Sequence, residues 1–143
     1  MNSSYTKNDV TLLLKDISGL VTPLPTKERE KLIQSGVHYC EMLPLEYKPT
    51  PQYMEAYQFA LNAYAQTTAD AVCQVAEKIY AHISGDEIVL VSLARAGIPI
   101  GILTKRYLEK KYSKPVFHYS ISIIRDRGID ENAIDYILER HQP

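Results

Sequence analysis

The sequence predicts an α/β fold: a parallel sheet with crossover helices, set behind a helical N-terminal region. Three observations carry this. Glu87–Ser92 and Val116–Ile124 are short runs rich in β-branched and apolar residues, bounded by turn residues, as buried parallel strands are. Each run ends in a turn that opens directly into a segment with apolar residues at three- and four-residue spacing. Strand, turn and helix therefore repeat twice between residues 87 and 141, a βαβα order whose crossover is expected to be right-handed.

The elements follow in chain order. Asn8–Leu20 reads as a first helix, because Val10, Leu13, Leu14 and Ile17 recur at helical spacing and Gly19 suits a C-terminal stop. Thr26 is positioned to cap a second helix reaching Gln34, with Glu28 and Glu30 near its first turn. Gly36 to Pro51 is too interrupted by proline for a regular element. Thr50 and Pro51 then open a long helix. Met54, Tyr57, Leu61, Tyr64, Thr68, Val72, Val75, Ile79 and Ile83 give it one apolar face, Gln66–Thr68 is where it would bend, and Gly85 ends it.

The first strand, Glu87–Ser92, is followed by the turn Leu93–Gly97 and a helix from Ile98 to about Tyr112. The second strand, Val116–Ile124, places Phe117, Tyr119, Ile121 and Ile123 on one face and Val116, His118, Ser120 and Ser122 on the other. Arg125–Gly128 is a loop, and Asp130 caps a last helix from Glu131 to about His141. Two strands cannot bury both faces alone. Further strands must come from the N-terminal region, another chain or sequence beyond Pro143. The expected division is a helical arm, residues 1–50, packed on a core of residues 51–143 that is incomplete at its C-terminal end.

Composition narrows the function classes. At 143 residues, 45% apolar and 23% charged, the chain has the make-up of one globular domain. Its formal charge of −1 excludes a non-specific duplex binder, which needs basic excess. No apolar run is long enough for a membrane span, and the N-terminus lacks the apolar core of a secretory signal. Cys40 and Cys73 form no metal-ligand spacing, and the compartment is read as reducing cytoplasm. Of the aromatics 11 are Tyr and 2 are Phe, and Tyr suits half-wet surfaces. Tyr5, Tyr47, Tyr53, Tyr57 and Tyr64 would line a surface on which the arm or the second subunit of a homodimer docks. Cys73 is expected in the core, and Lys105-Arg106 and Glu109-Lys110-Lys111 on a solvated helix face.

Chemistry-bearing residues fall in three places. The first is Val89–Gly101, which sets a glycine-bearing turn at the carboxyl end of a strand and ahead of a helix. Ligands bind at that edge in open α/β sheets. Amide groups at the helix start attract anions, Gly97 permits close backbone approach, and Arg95 adds a forked cation. Ser92, Leu93, Ala94, Arg95, Ala96 and Gly97 are the expected ligand contacts for a phosphorylated small molecule. The second place is Arg125-Asp126-Arg127, at what should be the same edge. Its two arginines would join Arg95 around phosphates, and Asp126 would pair one of them or help hold Mg²⁺.

The third is Gly36–Leu43. His38, Cys40 and Glu41 supply the residue types of a thiol nucleophile, its base and an orienting partner, with Glu41 open also to substrate or metal contact. In an extended stretch, His38 and Cys40 share a side with Cβ atoms roughly 6–7 Å apart, too far for direct contact. A base from elsewhere, such as His118, is the other option, and a packed, inert Cys40 between Tyr39 and Met42 is the third.

The segment Ser92–Gly101, SLARAGIPIG, resembles the pyrophosphate loop of type I phosphoribosyltransferases, above all the L-R-A-G core of the uracil enzymes. More widely, HYCEMLP, VLVSLARAGIPIG and YSISIIRDRGIDENAIDYIL together resemble a bacterial phosphoribosyltransferase-like family of tellurium-resistance and stress operons. Its members are also called StiP and carry the label cysteine protease. The resemblance runs from about Tyr5 to His141. It implies a partial Rossmann-like, type I phosphoribosyltransferase-like sheet. It also implies phosphoribosyl transfer, with Arg95, the amides of Ala96 and Gly97, Arg125 and Arg127 stabilising departing pyrophosphate and Mg²⁺ as its companion. The protease label implies hydrolysis by Cys40 instead, and a non-catalytic interaction domain is a third reading. The ribose-phosphate signature of the transferases, an acidic pair followed by a Thr-Gly loop, is not matched at Asp126–Asp130. The resemblance accordingly implies a longer chain that continues beyond Pro143.

Overall fold

The computed structural model describes residues 3–17 and 19–141. The chain divides into two compact units, Met1–Leu14 with Ala63–Pro143, and Lys15–Asn62.

In the first unit, three parallel strands form a sheet in the order β1-β3-β2, where β1 is Thr11–Leu12, β2 is Ile88–Leu93 and β3 is Val116–Ile121. The register sets Val91 beside Tyr119 and Ser92 beside Ser120 on one flank of β3, and Thr11 beside Tyr119 on the other. The crossover from β2 to β3 is α3, Gly97–Tyr112. The β2–α3–β3 order and its parallel pairing are as the sequence predicts.

Among the described residues of Asn8–Leu20 the expected helix is not formed; Thr11–Leu12 is β1. The run Val10-Thr-Leu-Leu-Leu14 is apolar at helical and strand spacing alike, and a local window cannot separate the two. What decides is the partner strand: β3 offers a free flank, and the N–H of Leu13 donates to Ser120 O at 2.9 Å. Val10 and Leu12 then pack with Ile98 and Ile102 of α3, whereas Leu13 lies on the opposite face with Tyr119 and Ile121. The N-terminal region thus supplies the third strand.

Both faces of the sheet are covered. Ile88, Leu90 and Val116 pack with Ala76, Ile79 and Tyr80 of α2 (Pro51–His82) and with Leu108 of α3. On the other side Tyr119 and Ile121 pack with Ala133 and Ile137 of α4, Glu131–Leu138. Asp130 caps α4, its carboxylate accepting from the N–H of Ala133 at 3.2 Å. β3 is shorter than expected. After Ser122 the chain turns into a two-stranded antiparallel hairpin of β4, Ile123–Ile124, and β5, Gly128–Ile129. Asp126 and Gly128 there adopt positive φ, 64° and 104°.

Three expectations about α3 and α2 also change. Lys105 is not solvated: its side chain is 11% exposed, and its ammonium donates to Val116 O and to Glu109. Arg106 forks onto Asp9 Oδ1 at 2.6 and 2.8 Å, fastening the segment ahead of β1 to α3. Cys73 is half-buried rather than core, and both cysteines are free thiols. α2 runs unbroken through Gln66–Thr68, and Tyr53, Met54, Tyr57, Leu61 and Tyr64 are exposed along its first half.

In the second unit, α1 spans Thr26–Gln34 as predicted, but Pro25 rather than Thr26 is its N-cap and no side chain caps it. Its C-terminus closes on Gly36, φ +97°, with Gly36 N–H donating to Ile33 O and Val37 N–H to Leu32 O. Leu24 and Pro44 then form an isolated parallel bridge. The segment expected to be irregular contains one 3₁₀ turn, Tyr39–Glu41.

No helix among the described residues is long and apolar enough to cross a membrane. Among the described residues the architecture is a mixed α/β one with a small three-stranded parallel sheet and four α-helices.

Candidate functional site

Gly36 ends α1 and redirects the chain into His38, whose extended backbone (φ −70°, ψ 140°) caps the 3₁₀ turn. The turn closes with Glu41 N–H donating to His38 O at 3.0 Å. It folds the thiol back over the imidazole, so that His38 Nδ1 lies 2.9 Å from Cys40 Sγ. The extended geometry that would keep these side chains apart is therefore replaced by a turn that joins them. The backbone N–H of Cys40 also donates to Nδ1, in a longer contact of 3.4 Å. An amide can only donate, so Nδ1 is the unprotonated nitrogen and the ring proton sits on Nε2. Nδ1 is consequently the acceptor for the Cys40 S–H.

Both residues are half-buried, with Tyr39 (44% exposed) tilted over the imidazole at 4.6 Å between ring centroids. Met42 is the buried anchor of the turn, 6% exposed. Glu41 is exposed and follows directly on the thiol. This is the arrangement a cysteine nucleophile needs: a base at hydrogen-bond distance, and partial access to solvent.

His118, the other base the sequence offers, has partners of its own. Both of its ring nitrogens are engaged within the other unit, Nδ1 with the carbonyl of Asp9 at 2.9 Å and Nε2 with Ser92 Oγ.

The β2–α3 turn borders a cavity. This cavity of about 720 Å³ is lined by Ser92, Leu93, Ala94, Arg95, Ala96 and Gly97, together with apolar residues of α2, β2 and α3. Six expected ligand contacts are thus brought together around one space, whose remaining walls include Val75, Ile79 and Ile100. Arg125, Asp126 and Arg127 stand on the exposed turn of the β4–β5 hairpin, where Arg127 N–H donates to Ile124 O at 3.0 Å. They do not line that cavity. Among the described residues no three His, Cys, Asp or Glu side chains gather as a metal-ligand set.

Sequence reasoning missed the Ser92–His118 pair. The two residues are 26 positions apart, and only the register of β2 on β3 makes them diagonal neighbours on one face.

The model of a family described as the tellurite-like stress resistance cysteine protease StiP matches residues 3–143. A protein of Acinetobacter baylyi named cysteine protease StiP is 40% identical over 141 residues, 98% of this chain. The chain spans 36% of that relative's length. No solved structure matches. These likenesses correct the expectation of phosphoribosyl transfer and of a pyrophosphate-binding transferase loop: the family named is one of cysteine proteases, and neither likeness carries the transferase reading.

Proposed function

Because the chain belongs to the StiP family of tellurite-like stress resistance cysteine proteases, we propose that it carries the nucleophile of a cysteine hydrolase, Cys40, with His38 as its base. The observation that supports this reading is the 2.9 Å contact between Nδ1 and Sγ. Nδ1 takes the thiol proton as Sγ attacks the carbonyl carbon of a peptide bond. The imidazolium then returns that proton to the departing amine, leaving a thioester on Cys40. Water, deprotonated by the same nitrogen, hydrolyses the thioester and restores the thiol. Glu41, exposed at the end of the same turn, is placed in this reading to meet substrate.

The experiment is peptide hydrolysis by the full-length protein. Cys40→Ala abolishes turnover, and His38→Ala lowers kcat by about 10²- to 10⁴-fold, the usual contribution of a positioned base. Cys73→Ala keeps it. Full activity in Cys40→Ala, with the fold intact by circular dichroism, overturns the proposal.

A further inference from the structure

The unit that holds the sheet contains a second nucleophile–base pair, independent of Cys40. Ser92 is the penultimate residue of β2 and His118 lies in the middle of β3, 7% and 4% exposed. Ser92 Oγ and His118 Nε2 are 2.5 Å apart. The other nitrogen, Nδ1, is 2.9 Å from the carbonyl oxygen of Asp9. A carbonyl can only accept, so the ring proton sits on Nδ1 and Nε2 is the lone-pair nitrogen that accepts the Ser92 hydroxyl proton. Base and orienting acceptor thus stand in line behind a serine, the order of roles that serine nucleophiles use.

Three further features bear on what the pair can do. Ser92 lines the cavity of about 720 Å³, whose size suits a small molecule. The start of α3 abuts it, since a Cβ placed on Gly97 would lie 3.4 Å from Ser92 Cβ, and a helix N-terminus favours developing negative charge. The cavity walls at Val75, Ile79, Leu90 and Ile100 are apolar. Burial also holds His118 below the usual histidine range, with Lys105 opposing its charge and Asp9 favouring it.

We infer that Ser92 and His118 form an acyl-accepting centre for carboxylic esters with a short apolar acyl group. Oγ bonds to the ester carbonyl carbon while its proton passes to Nε2 of His118. The C–O bond to the alcohol then breaks, and Nε2 delivers the proton to the departing alkoxide. Water hydrolyses the acyl-serine by the same proton route, so that ester and water become acid and alcohol. Asp9 positions the imidazole through its main-chain carbonyl.

The test is labelling of the full chain with an alkyl fluorophosphonate, in which an Oγ–P bond forms, fluoride leaves, and the hydroxyl proton departs through His118. Peptide mass spectrometry is expected to find the adduct on Ser92, unchanged in Cys40→Ala and slowed about 10²-fold or more in His118→Asn, which keeps a donor toward Asp9 but removes the base. Labelling in the unmodified chain is also expected to rise with pH to a plateau, with its half-maximum below 6.5, the ordinary histidine value, a readout that stands if His118→Asn does not fold. No adduct on Ser92 overturns the inference. So does equal labelling in a folded His118→Asn, or a rate that keeps rising in proportion to hydroxide up to pH 9. Because Cys40→Ala is silent here, failure of this centre and failure of the Cys40 reading are separate results.

Discussion

A Cβ placed on Gly101 of α3 would lie 2.3 Å from Nε2 of His118 and 2.4 Å from Ser92 Oγ. The absence of a side chain at this one position lets α3 sit down on the sheet over a hydrogen-bonded polar pair.

Gly101→Ala is therefore expected to destabilise the fold by about 1–3 kcal/mol, the range for an added methyl that forces its packed neighbours to shift. Chemical denaturation measures it. Gly85→Ala is the control: its nearest neighbour would be Glu87 O at 3.9 Å, and its effect should stay within about 0.5 kcal/mol. Equal stability of the two variants would show that α3 has room to lift.

Glu77 on α2 accepts from Lys111, Tyr107 and Tyr112 of α3, each at 2.6 Å. The Lys111 ammonium first, then the two phenols, hold its carboxyl down at about 2. A carboxylate depressed in the fold stabilises it above the ordinary value of 4.5 and loses that contribution as pH falls through 2. The melting temperature of the native chain should exceed that of Glu77→Gln near neutral pH, and the gap should close between pH 4.5 and 2. A gap that does not change with pH would mean that the charge on Glu77 contributes nothing.

Asp130→Ala removes the carboxylate that caps α4 and should lower stability by about 1 kcal/mol. Thr26→Ala should change it by only a few tenths, because Thr26 sits inside α1 and caps nothing. Thermal melts of the two variants side by side decide whether the caps differ as the geometry says.

Legibility in the sequence followed the range of the interactions involved. β2, α3 and β3 were readable because the hydrophobic period itself switches between residues 83 and 88 and again near Pro115. Asp130 was readable because a cap is a contact over three residues. The N-terminal strand was not, since Val10–Leu14 satisfies both periods and the choice is made by β3, more than 100 residues away. Lys105 was misplaced on a solvated face for the same reason: its acceptor, Val116 O, belongs to the next strand. The Cys40 region was half legible. Its residue types announced a thiol and a base, but the contact depends on a single 3₁₀ turn that proline-rich flanks conceal. Ser92 and His118 were visible one by one, as polar residues within apolar strands, and the signal that joins them is their common face in the parallel register.

The most direct test of the central claim is alkylation of Cys40 by iodoacetamide in the native chain at pH 7, with Cys73 as the internal reference and His38→Ala as the comparison. The pair predicts that Cys40 reacts roughly tenfold or more faster than in His38→Ala, while the rate at Cys73 is the same in both. A Cys40 rate that is unchanged when His38 is removed would contradict the account.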